Sequence, residues 1–136
     1  MAYQGYLIKI GNYIVPFKYI KFDSYSALLS TTDLDSYRDA DGKLHRNALS
    51  HKPSKAEWET PAMLDNEQFA DLMRNIRNQY ISAVEKNATV TMYIPEIDDY
   101  VTQEMYLPDV TVSIYRHNKD TGKLQYNSIR FAFIGY

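Results

Sequence analysis

Between residues 65 and 80 the chain switches to a helical period, and this is its clearest local signal. Phe69, Leu72, Met73, Ile76 and Tyr80 fall three and four apart, with Arg74, Arg77 and Asn78 turned the other way. Asp65 can cap such a helix, and Gln68, three residues on, completes a capping-box pattern. An apolar stripe has to be buried against something. The chain holds no second helical stretch of this quality, so the expected partner is a sheet.

The remaining text is written for strands. Residues 6–22 read YLIKI, then Gly11-Asn12, then YIVPFKYIKF, two β-rich runs around a tight turn, with Pro16 restricting the second to an edge or bulge. Residues 23–33 are richer in Ser and Thr and read as a lead into the next element. After Pro53, residues 54–60 alternate as a strand with Ala56 and Trp58 on one side. Further strands are expected at 89–94, 100–107 and 110–115. The closing run, 123–136, places Ile129, Phe131 and Phe133 on one face and Arg130 on the other. These segments describe one mainly β (α+β) domain over residues 1–136, a length suited to one hydrophobic core, and no internal repeat is evident.

Residues 34–50 stand apart. Two short β-capable arms flank Asp39-Ala40-Asp41-Gly42, a turn in which Asp side chains can bond backbone amides and Gly can take a positive φ. The arms carry Asp35, Arg38, Asp39, Asp41, Lys43 and Arg46 beside Tyr37, a mixture costly to bury inside one protomer but able to pair across a subunit boundary. These seven residues are the candidate assembly interface, on a projecting hairpin.

Composition narrows the function classes. The 15 basic and 17 acidic residues leave a formal charge of −2, without the basic stripe a nucleic-acid partner would want. Cysteine is absent, which removes disulfides, thiolate nucleophiles and thiolate metal sites, and fits a reducing cytoplasm. The first ten residues do not read as a signal peptide, and no stretch approaches the roughly 20 apolar residues of a spanning helix, so membrane insertion is not expected. Tyrosine is abundant, with 13 copies against one Trp, as suits half-buried strands and subunit contacts alike.

Candidate chemistry reads mostly as turns. Asp120-Thr121-Gly122 spells an aspartic-protease triplet, but it follows His117-Asn118-Lys119 and precedes Lys123, which is how a hairpin turn is written. Asp39, Asp41 and Gly42 echo a calcium loop, yet Gly42 at its sixth position puts Tyr37 first and Ala48 twelfth, where acidic ligands are required. His45 and His51 could share a side near Glu57, and His117 stands alone; none has a compact metal spacing. The acidic pairs Asp33 with Asp35 and Asp98 with Asp99 sit among polar, turn-like neighbours. Asn87-Ala88-Thr89 matches a glycosylation acceptor without a secretory signal to give it meaning. No catalytic, cofactor-binding or metal residue is assigned, and the chain is not expected to be an enzyme.

Several segments together carry a resemblance: the N-terminal strand pair ending near Pro16, then Ser36, Arg38, Gly42 and Arg46 in the polar hairpin. To these are added the strand at 55–59 leading into Leu64-Asp65-Asn66-Glu67-Gln68-Phe69, and the closing strand at 128–136. In this the chain resembles small tail proteins of siphovirus-type bacteriophages and prophages of Gram-positive hosts. The resemblance implies a β-sandwich or barrel-like body of tail-tube type with one packed helix and a hairpin reaching toward neighbours. It implies a structural component that joins a homo-oligomeric ring at the tube or its distal end, made in the host cytoplasm and carried in the virion tail. A tail assembly chaperone or binding module of the same system is the alternative. An enzyme, or a carbohydrate-binding domain using exposed Tyr or Trp58 as a platform, is a third class.

Overall fold

The computed structural model describes residues 3–30, 34–48, 50 and 53–136. Asp33 and His51, both weighed above, lie outside the described residues. The Gly11-Asn12 turn folds β1 (Ile8–Ile10) back on β2 (Tyr13–Ile14), with Ile10 opposite Tyr13. Gly11 has a φ of 58°, and a side chain there would run into Gln79, whose Oε1 accepts from the Asn12 amide at 2.9 Å. The second apolar run does not continue as a strand to residue 22. Pro16 has no amide hydrogen to give a ladder, and Phe17–Tyr19 close instead into a 3-10 turn that buries Tyr19 and leaves Phe17 outside.

Residues 23–33 hold more than a lead-in, because β3 (Ser26–Leu29) forms there. Next come β4 (Tyr37–Arg38) and β5 (Leu44–His45), then β6 (Ser54–Glu59), which buries Ser54, Ala56 and Trp58 as its alternation requires. β7 (Leu64–Asp65) leads into α1 (Asn66–Arg77). Asp65 accepts from the Gln68 amide at 2.7 Å and the Gln68 side chain accepts from the Asp65 amide at 3.2 Å, so the capping box is present. Leu72, Met73 and Ile76 are buried, with Phe69 and Tyr80 packed at the margin.

β8 (Asn87–Ile94) and β9 (Asp99–Tyr106) pair along their full length, from Asn87 opposite Tyr106 to Ile94 opposite Asp99. The expected strand at 110–115 begins later, as β10 (Ile114–Asn118). Val110 and Val112 instead turn inward and pack against the core without a ladder partner, so their alternation marks burial rather than pairing. The closing run is two strands, β11 (Lys123–Tyr126) and β12 (Arg130–Gly135), with Ile129, Phe131 and Phe133 buried as expected.

The strands form an antiparallel seven-stranded sheet in the order β2-β1-β8-β9-β12-β6-β3, a three-stranded sheet β10-β11-β7, and the separate pair β4-β5. Trp58 lies nearly parallel to Phe131 and Phe133 at 5.1 and 5.9 Å, and Phe69 of α1 reaches Phe131 at 6.3 Å, which joins helix and sheet in one core. The small sheet fixes the start of the helix: the Leu124 amide donates to Asn66 Oδ1 at 2.9 Å, and Lys123 pairs with Glu67 at 2.9 Å.

Ahead of β3, the Tyr25 phenol donates to the Tyr93 carbonyl at 2.8 Å, with the Leu7 carbonyl at 3.2 Å, and burial holds its pKa well above the usual tyrosine value. This contact brings the approach to one edge strand, β3, against β8 and the residue ahead of β1, toward the opposite edge of the sheet. The ladder itself ends at β2 and β3, so the body is α+β and antiparallel but is not a closed barrel among the described residues.

Candidate assembly interface

The hairpin at residues 34–48 is held by its own turn. Tyr37 stands opposite His45 and Arg38 opposite Leu44. The Asp39 carboxylate accepts from the amides of Asp41 and Lys43 at 3.0 Å each and meets His45 Nε2 at 2.8 Å. These contacts hold its pKa below the usual carboxylate value, the His45 hydrogen bond most of all, then the Lys43 amide. Gly42, at φ 83°, turns the chain and donates its amide to the Asp39 carbonyl at 2.9 Å. Arg38 Nη1 donates to the Gly42 carbonyl at 2.9 Å.

Across the arms, the Tyr37 and His45 rings stack at 4.9 Å and 13°. At the base, the Leu34 amide donates to the Asn47 carbonyl at 2.9 Å and the Asn47 amide to Ser36 Oγ at 3.2 Å. The element is ordered by local bonds, forms a sheet of its own, and contributes none of the core residues among those described.

Of the seven residues singled out in the sequence, the structure joins Tyr37, Arg38 and Asp39 into the hairpin's internal network. The side chains of Asp35, Asp41, Lys43 and Arg46 lie on its exposed surface. His45 was missed as a partner of Asp39; the signal available was its place across a turn whose amides Asp39 could already be expected to bind. Leu34, Tyr37 and Leu44 are also exposed, so the arms present apolar as well as charged surface.

The other candidate sites resolve into structural roles. Asn118 Oδ1 accepts from the Asp120 amide at 3.0 Å and the Thr121 amide at 3.4 Å, making the protease-like triplet a turn between β10 and β11. Glu57 is ion-paired with Arg130 and accepts from the Ser26 hydroxyl, while His45 is engaged with Asp39, so the anticipated neighbourhood of His45 and Glu57 is not what their contacts show. Asp98 accepts from the Tyr93 phenol at 2.7 Å, and Asp99 from the Tyr100 amide at 2.8 Å. Asn87 is buried, accepting from the Ser82 amide and donating to Glu104, which is no place for a glycan. Trp58 is 1% exposed and cannot serve as a carbohydrate platform. Among the described residues no group of three or more His, Cys, Asp or Glu is placed to hold a metal ion, and no helix is long and apolar enough to cross a membrane.

The fold is an antiparallel α+β body with one capped helix and a two-stranded hairpin that forms a sheet of its own. A chain from the tail of an empty gene transfer agent particle, obtained by helical refinement with C6 symmetry, superposes with a TM-score of 0.51 at 14% identity, over 99% of this chain and 95% of that one. A chain from the virion of a native gene transfer agent particle gives 0.52 at 15% identity, with the same coverages. At that identity the likeness is one of fold. The chain belongs to the family of unknown function DUF6711, which matches residues 1–136. No curated protein matches it.

Proposed function

We propose that this protein is a structural subunit of a phage or prophage tail of the siphovirus type, self-associating or joining a ring at the tube or its distal end. It is made in the bacterial cytoplasm and retained in the virion tail, and it acts without catalysis. The observation that carries this reading is the fold shared over 99% of the chain with a component of a C6-symmetric tail. The exposed hairpin adds support: an ordered element outside the core, bearing both charge signs and apolar side chains, is what a repeated contact between identical copies uses.

The test is electron microscopy of particles assembled from this protein with the tail components encoded beside it. Stoichiometric density for the chain in the tail is the expected result. Completed tails that lack the chain overturn the structural role.

A further inference from the structure

The antiparallel pairing of residues 99–118 with 123–136 is closed at both ends and open in the middle. Tyr106 stands opposite Ile134 and Met105 opposite Gly135, where β9 meets β12, and Ile114 stands opposite Tyr126, where β10 meets β11. These pairs keep one register, so residues 107–113 and 127–133, equal in number, face each other between them. Yet among the described residues no backbone bond joins 108–112 to β12. A recess of about 250 Å³ lies there instead, with Pro108 and Val110 on one side and Arg130, Ala132 and Ile134 on the other.

The sequence explains the opening. Pro108, which has no amide hydrogen to give, falls opposite Ala132 in that register. Residues opposite one another share a face, so closing the ladder would bring Val110 out beside exposed Arg130 and Asp109 in beside buried Phe131. Val110 and Val112 pack inward instead, one position out of phase with β12. The segment can rest on the core or come off it, but it cannot zip onto β12 without burying a carboxylate.

Its ends are tied by backbone bonds. The Leu107 amide donates to the Lys86 carbonyl at 3.0 Å, and the Ser113 carbonyl accepts from the Asn127 amide at 2.9 Å. Between those ends, the one ion pair made by residues 108–112 is Asp109 with Lys86 Nζ at 2.8 Å, and the Asp109 side chain is 97% exposed. Lys86 therefore holds one end through its carbonyl and the middle through its ammonium. On the inner side, Val110 and Val112 form one wall of a recess of about 360 Å³, with Phe69, Met73 and Tyr80 opposite them.

We infer that residues 108–112 are a latched strap that swings about Leu107 and Ser113 without unfolding the sheet and uncovers the apolar recess on α1. The strap rests on two valines and one solvent-exposed ion pair, so opening it takes far less free energy than breaking either flanking ladder. The inference is independent of the proposed tail role.

Because the chain has no cysteine, a single thiol can read the opening. Met73→Cys places it on the recess, and Met92→Cys, at a position 0% exposed in β8, reports unfolding of the sheet. With neutral iodoacetamide, M73C should label at least roughly ten-fold faster than M92C. Breaking the latch by Asp109→Asn or by Lys86→Gln should speed M73C a further two- to five-fold, roughly, and leave M92C unchanged. Salt at about 1 M should act in the same way on the intact latch and have no effect in D109N. The two latch variants alter local charge in opposite senses, so a mere effect on thiol ionisation would drive their rates apart, and opposite shifts overturn the strap. Equal labelling of M73C and M92C overturns it too, because opening would then be global, as does unchanged labelling in both latch variants. Tyr80→Cys, on the same recess, is read alongside and decides the matter if M73C does not fold.

Discussion

Asp39 concentrates the order of the hairpin in one carboxylate. It receives two backbone amides and the His45 ring, so losing the side chain releases three groups at once. Asp39→Ala is expected to speed amide exchange at residues 41 and 43 roughly ten-fold or more, while Asp39→Asn, which keeps an acceptor oxygen, is intermediate. Unchanged exchange at both amides in Asp39→Ala would show that the turn is held by other means. The pH dependence follows from the lowered Asp39 pKa. Protonation is opposed in the folded hairpin, so the carboxylate's contribution is present above the ordinary carboxylate value of about 4 and is lost as pH falls through the lower folded value. The hairpin amides should therefore lose protection in acid below about pH 4, monitored by residue-resolved exchange.

At the scale of elements, α1 has both a local and a tertiary reason to form. The capping box supplies the start, and the stripe of Leu72, Met73 and Ile76 supplies the burial. Leu72 is fully buried, so Leu72→Ala removes apolar contact and leaves a cavity, an expected loss of about 2–4 kcal/mol in chemical denaturation. A loss well under about 1 kcal/mol would mean that the site collapses freely or that α1 is not anchored there.

This helix was legible in the sequence because period and cap are both local. So were the β1–β2 turn and the inward face of β12. Less legible was β3, whose short run of Ser26, Ala27, Leu28 and Leu29 gains its identity from pairing with β6, about thirty residues away in the chain. Val110 and Val112 gave a period-two signal because they pack inward, and period reports burial without naming a ladder partner. The exposed Phe17–Phe22 step was also hidden. Its residues read as strand continuation, and only the break after Pro16 turns two of its rings outward.

For the whole molecule, the decisive separation is between a core built without the hairpin and a hairpin ordered without the core. None of the described residues at 34–48 belongs to the core cluster, and the Leu34 amide bonds the Asn47 carbonyl at 2.9 Å, so the two feet of the hairpin already stand together. A short Gly-rich turn can therefore replace residues 36–46 without drawing distant backbone together. The shortened chain is expected to keep its far-ultraviolet circular dichroism spectrum and to melt within about 5 °C of wild type, since a surface segment outside the core contributes little to the folded state. Its incorporation into tails should be lost. Deleting the whole element is cleaner than reversing Arg38, because that guanidinium also bonds the Gly42 carbonyl and its loss would loosen the turn as well as any contact outside it. A folded deletion variant that enters tails at the wild-type level would remove the hairpin from assembly, while a deletion variant that unfolds would instead make it part of the protomer's own stability.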